Sequence, residues 1–382
     1  MTTHQHSNQH IDGIFAPHQT PQTEFSSPFE QTGHQSAPPT PPYQPTAWNF
    51  AFRGNATDYF KIWISNLFLT IITFTLYAPW AKVRRLQYFY GNTYLNRQNF
   101  SFTALPTKIL VGRLIALAIF LFISITSKFA PEYSALGTLI LILVSPWLLR
   151  STLRFRARNS KYGNIRFIFS ADLIKSYAIL IACACLTVFS LGLAYPIALL
   201  LFKRYQFNNL QVGQLKFNIK ATIWDFYKAV LKPYLFLFAF VFVASIAMGV
   251  ILGGSGLNAD SLSVVSILIM IGYVTVMSFF VPLINAYLFQ ATWNNVKVGR
   301  NPMNTNIKPF QYAWIQFSNY LAIIFSFGLL FAWAQVRLYR YQMESLSVTF
   351  MDNPQDLINV SQKEYDSLAE EITDVFDIDI SL

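Results

Sequence analysis

The chain has 382 residues, of which 53% are hydrophobic, 17% aromatic and only 12% charged, with a formal net charge of +10. Apolar runs near or above membrane-spanning length exclude an ordinary soluble domain and give a polytopic membrane profile. The two cysteines, Cys183 and Cys185, share one apolar run with no histidine or carboxylate cluster nearby, which argues against a disulfide framework or metal site and for helix packing by small residues.

Residues 1–46 are rich in Gln, His, Pro, Ser and Thr, contain no Lys or Arg, and read as a disordered tail. They have neither the basic segment nor the apolar segment of a cleavable signal peptide. All five histidines stand here (His4, His6, His10, His18 and His34), so none remains for the membrane region. At the other end, residues 351–382 form an acidic tail with Lys363 as its single cation. Between the tails, residues 47–350 hold 27 Lys and Arg against six acids, a net of +21. Such a body fits the positive-inside bias and an anionic lipid surface.

The apolar runs fall at about 59–78, 109–127, 133–149, 173–202, 229–252, 262–290 and 312–334. Helices are expected, because an open sheet edge cannot persist in lipid. The linkers Lys128 to Glu132 and Gly253 to Asp260 are short and poor in basic residues, and read as external turns. The other connections are basic. The predicted fold is an all-α polytopic membrane protein with internal repeats of broken or re-entrant helices and helical hairpins, joined by short cytoplasmic β-like turns. About three repeats are expected, at 47–165, 166–305 and a truncated 306–350.

Two patterns carry that expectation. In the first, an apolar helix breaks and restarts with a basic face: FTLYAPWAKVRRLQYFYGN at Phe74, LGLAYPIALLLFKRYQFNN around Pro196, and FGLLFAWAQVRLYRYQ near the C-terminus. Trp80, Ala81, Val83, Arg84 and Tyr88 recur in spacing as Trp333, Ala334, Val336, Arg337 and Tyr341. Pro79 and Pro196 lack an N–H and would clash with the carbonyl a turn earlier, so the break is expected there, buried in protein or facing water. In the second, N-x3-(G/N)-x3-(F/M) follows four helix ends: Asn92, Asn96, Phe100; Asn159, Gly163, Phe167; Asn209, Gly213, Phe217; Asn295, Gly299, Met303. Asn and Gly tolerate positive φ and stop a helix, and the alternation in Asn99 to Phe102, Ile165 to Phe169 and Leu215 to Ile219 looks like short strands.

The patterns create a topological conflict. If runs one, four and seven cross fully, the basic loops at 150–166 and 203–220 lie on opposite faces, against the charge bias. Either these runs re-enter and their ends share the cytoplasmic side, or the repeats are inverted.

YAPWAKVRR with YFYGNTYL and NFSF, preceded by FAFRGNATDYFKIWISN, resembles the YjgN-like bacterial inner-membrane proteins over roughly residues 48–350. The resemblance implies a multi-pass inner-membrane location and a polytopic helical fold. It implies no substrate, cofactor or catalytic residue. The second copy departs from the pattern, with Ile197 and Leu199 where Trp80 and Lys82 stand.

No HExxH, G-x-S-x-G, Walker-type loop or carboxylate pair is present, so no enzyme activity, cofactor or metal is expected, and no nucleic-acid partner. Trp80, Lys82, Arg84 and Arg85, with Trp333, Arg337 and Arg340, are expected to anchor the protein at the membrane interface: an indole suits the headgroup level and cations a few residues on reach lipid phosphates. Arg113 and Lys232 are placed to snorkel. Asn66 and Asn285 are candidate cavity-lining or helix-packing groups. Two functions fit: a transporter or channel with its site at the broken helices, or a membrane scaffold acting through its basic cytoplasmic face and acidic tail. The tails are expected to be cytoplasmic.

Overall fold

The computed structural model describes residues 44–129, 134–253 and 259–351. Both tails and the centres of the two expected external turns lie outside the described residues. The chain begins with strand β1 (Thr46–Phe52) and then repeats one plan, a helix pair followed by a strand pair. Helices α1 (Ala56–Ile72) and α2 (Ala78–Gly91) lead into β2 (Thr93–Leu95) and β3 (Gln98–Phe102). Next come α3 (Pro106–Phe129) and α4 (Ser134–Arg158) with β4 (Ser160–Tyr162) and β5 (Ile165–Phe169). Then follow α5 (Leu173–Phe189) and α6 (Tyr195–Asn208) with β6 (Leu210–Val212) and β7 (Leu215–Ile219). After α7 (Ile223–Gly253) and α8 (Ala259–Trp293) come β8 (Val296–Val298) and β9 (Asn301–Thr305). Last, α9 (Pro309–Phe325) and α10 (Phe331–Glu344) end in the single strand β10 (Leu346–Phe350).

The strands correct the all-α expectation. They form one closed antiparallel barrel in the order β1-β10-β9-β8-β7-β6-β5-β4-β3-β2. Short alternating segments looked like turn ornaments because none is long enough to be stable alone. Each gains a full set of backbone partners only when the ring closes. β1 completes the fifth strand pair from the far end of the sequence, with Thr46 opposite Phe350 and Trp48 opposite Val348. The same strut then braces three strand exits: Arg150 Nε donates to Ala171 O at 2.6 Å, Arg204 Nη2 to Ala221 O at 2.9 Å and Arg340 Nη2 to Gly54 O at 2.7 Å. Gly54 follows β1 as Ala221 follows β7, so the first strand occupies the place of a partner to β10.

The four-copy motif explains itself in this geometry. Its asparagine caps a helix: Asn92, Asn159, Asn209 and Asn295 each donate from Nδ2 to the carbonyl four residues back. Its second position makes a two-residue hairpin loop. Gly163, Gly213 and Gly299 sit at φ +56°, +55° and +60°, as type II′ loops require, whereas Asn96 and Arg97 are both at positive φ, as in type I′. Its third position points into the barrel.

Three helix pairs are short and two are long. α1, α5 and α9 have 17 residues each, about 25 Å at 1.5 Å per residue, less than the ~30 Å hydrocarbon core. Among the described residues, three stretches are long and apolar enough to cross a membrane: Pro106–Thr126, Ile223–Ile246 and Val265–Trp293. Because every strand pair belongs to one barrel, the basic connections after α2, α4, α6 and α8 all lie at one end of the helices, and the charge conflict disappears.

The short pairs reverse at residues 73–77, 190–194 and 326–330, in the first two before the proline rather than at it and in the third with no proline at all. Pro79 and Pro196 instead occupy the first turn of α2 and α6, where a missing N–H costs nothing. The reversal is a double-capped turn. Thr73, Ser190 and Ser326 donate their hydroxyls back to Leu69 O, Leu186 O and Ile323 O. The same oxygens accept the N–H of Tyr77, Ala194 and Leu330, at 3.0, 2.8 and 3.0 Å. Two residues on, Thr75, Gly192 and Gly328 take φ of +70°, +86° and +89° and send their N–H to the carbonyl five residues back at 2.8 Å. The tip residues Phe74, Leu191 and Phe327 are apolar and 89%, 94% and 97% exposed, which suits contact with lipid. An unsatisfied backbone group there costs several kcal/mol, and the hydroxyl removes that cost.

Ser326→Ala should lower the stability of the detergent-solubilised protein by about 1–3 kcal/mol, because it strands the Leu330 N–H in an apolar medium. Thr75→Gly should raise it by roughly 1 kcal/mol, since Thr75 is the β-branched residue holding a conformation its two counterparts give to glycine. Thermal unfolding of both variants checks the pair; a neutral Ser326→Ala would contradict the capping role.

Candidate lumen site

The barrel bounds a half-open cavity of about 630 Å³, within the range of ligand pockets. Five strand pairings place a belt of side chains around it: Phe50 opposite Leu95, Phe100 opposite Tyr162, Phe167 opposite Val212, Phe217 opposite Val298, and Met303 opposite Val348. Four aromatic rings follow one another around the wall, with centroid spacings of 5.9 Å (Phe50–Phe100), 6.4 Å (Phe100–Phe167) and 6.2 Å (Phe167–Phe217). The period-2 alternation of strands puts these residues inside and leaves the cations Arg97, Lys161, Arg166, Lys216, Lys297 and Arg300 to the turns and the outer face. No acid lies in any of the strands or hairpin loops.

The helices close the cavity on the other side. Phe89 and Tyr90 of α2, Leu153 and Ala157 of α4, Phe207 of α6, Trp293 of α8 and Tyr339 and Met343 of α10 meet the lumen. Polar groups are few: Arg85, Arg156, Gln206 and Gln335 from the helices and Thr93, Ser160 and Asn301 from the strands, besides the tyrosine hydroxyls. Arg85 Nη2 donates to Gln335 Oε1 at 3.1 Å, tying α2 to α10.

The expected anchor residues divide. Trp80 stacks on Tyr77 at 5.9 Å, and the Arg84 guanidinium lies 5.8 Å from the same ring. Lys82 is exposed, and Arg85 reaches the lumen rim. Arg337 lies over Trp333 at 5.1 Å and donates to Ser318 Oγ at 2.8 Å and Asn319 Oδ1 at 3.1 Å, while Arg340 is the strut to Gly54. Trp333, Arg337 and Arg340 line a second cavity of about 340 Å³. Neither Asn66 nor Asn285 meets the lumen. Asn66 is buried with Oδ1 unpartnered; its counterpart Asn319 uses both ends, donating to Ala334 O at 3.1 Å and accepting from Arg337. Asn285 is exposed on α8. Sequence reasoning missed the lumen itself. Its signal was the third position of the four-copy motif, whose Phe, Phe, Phe and Met are the inward-facing belt.

Two of the three tyrosines that meet the lumen are half-buried and hydrogen-bonded. Tyr162 donates to Leu95 O at 2.8 Å, and Tyr339 shares a hydrogen bond with Thr93 Oγ1 at 3.0 Å. Burial pushes both phenols up to about 12, from an ordinary value near 10. The folded protein therefore keeps protons that the unfolded chain has already released. That stabilisation is complete below pH about 10 and is lost as pH rises through about 12. The melting temperature should fall across this window, and Tyr339→Phe should flatten the fall; an unchanged slope would contradict the burial of this phenol.

The sequence matches the family described as bacterial proteins of unknown function, DUF898, across residues 47–375. Curated relatives are the inner membrane protein YjgN of Escherichia coli K12, 30% identical over 33% of this chain and 32% of its own length, and that of Salmonella typhimurium, 28% identical over 44% and 41%. The matched segments thus span about a third to two fifths of these relatives. No solved structure matches the chain. With apolar helices long enough to cross a bilayer, this is an integral membrane protein. The chain belongs to the DUF898 family of bacterial proteins of unknown function and is similar to the YjgN inner membrane proteins, as its YAPWAKVRR resemblance implied.

Proposed function

We propose that this protein is a non-catalytic inner-membrane transporter that withdraws a lipophilic molecule from the bilayer into the barrel lumen. The observation that carries the reading is the apolar cavity of about 630 Å³ joined to the membrane-side helices through their barrel ends. The short helix pairs support it, because they leave the region above the barrel surrounded by lipid-exposed helices rather than by a thick protein wall. The relatives' name supports the inner membrane. The cation-only barrel supports a cytoplasmic place for that end and for both tails, by the positive-inside rule. Trp80 with Lys82 and Arg84 then stands near the headgroups as an interfacial anchor, among anionic lipids.

A lipophilic molecule should remain with the wild-type protein through gel filtration in detergent, at about one per chain. Val212→Trp with Val298→Trp fills the belt and should abolish its recovery by mass spectrometry while the barrel still folds. Equal recovery from both proteins would contradict a lumen site.

A further inference from the structure

We propose that the lumen takes an anionic, phosphate-bearing lipid, its headgroup guided from the bilayer by a line of cations across α2, α3 and α4; this rests on the lumen reading above. Arg113 stands two turns into α3, and none of that helix's apolar stretch is buried in the protein, so the guanidinium starts at the lipid-facing side. Partial burial bears most on the Lys82 ammonium, and the positive charges of Arg113 and Arg156 add to it. Arg156 and Arg85 in turn line the lumen. The four cations therefore lead from the membrane-facing helix to the cavity rim.

Among the described residues, no carboxylate pairs with any of the four. The ion pairs present are Lys61–Asp58, Lys175–Asp172 and Arg340–Glu344, all elsewhere. Gathering like charges without a counter-ion is unfavourable, and an anion arriving at the rim relieves it. Guanidinium groups match a phosphate through paired N–H donors. The lumen beyond offers little but apolar and aromatic surface, which suits the chain attached to such a headgroup.

The test uses the full-length protein in neutral phosphatidylcholine nanodiscs and two photoreactive probes with diazirine-bearing acyl chains, a lysophosphatidate and a lysophosphatidylcholine. The lysophosphatidate should label Phe100, Phe167 or their neighbours about tenfold more than the choline probe. Arg85→Gln, Arg113→Gln and Arg156→Gln together should erase the preference while labelling by the choline probe persists, and the corresponding three lysine variants should retain most of it. Millimolar inorganic phosphate should leave labelling unchanged; full competition by phosphate would overturn the lipid in favour of a free anion. Equal labelling by both probes in the wild type would overturn the headgroup assignment yet leave the lumen reading standing. No labelling of the barrel by either probe would overturn both.

Discussion

An apolar chain that turns back with no neighbour to cover it must satisfy its own backbone, and the architecture depends on how three helix pairs do so. One hydroxyl at the end of the first helix accepts the N–H that opens the second, and a residue at positive φ closes the turn behind it. Because the turn needs neither water nor a neighbouring helix, its tip can be a bare Phe or Leu in contact with lipid. The helices on either side can then return to the same end of the molecule, which lets ten short strands meet there.

The ring of strands has its own constraint. Strands of three to seven residues have too few partners to persist as separate hairpins, so the barrel is stable as a closed set or not at all. Closure joins β1 to β10, the two ends of the folded body, and the Arg340–Gly54 strut repeats there the contact made by Arg204 and Ala221. Closure also creates the interior. The alternation that turns cations outward turns Phe50, Phe100, Phe167, Phe217 and Met303 inward, so a charged surface and an apolar lumen are two consequences of one register.

Much of the helical part was legible in the sequence. The break-and-restart segments, the basic ends and the Asn-Gly punctuation all correspond to real features, although the break precedes the prolines by several residues because Thr73, Ser190 and Ser326 cap so effectively. The barrel was not legible. A three-residue strand such as Val296–Val298 carries no periodicity of its own, and the pairing of Thr46 with Phe350 is a fact about topology rather than local preference. The lumen was half-visible: the motif's Phe and Met positions were noticed for their spacing, while their direction depends on which register the closed sheet adopts. Arg85 was read as an interfacial anchor and Arg156 lay within the basic loop at 150–166, and only the fold brings them to one rim.

The central claim is that the first strand closes the ring against the last. With Cys183 and Cys185 replaced by serine, cysteines at Asn49 and Ser347, which are Cα partners across β1 and β10, measure it directly. A pair at Asn304 and Ser347 across β9 and β10 serves as the reference. Mild oxidation in native membranes should give an intramolecular disulfide in both, seen as a reductant-sensitive shift in gel mobility. Efficient bridging of Asn304→Cys with Ser347→Cys, but none between Asn49→Cys and Ser347→Cys, would show an open sheet and contradict the enclosed lumen.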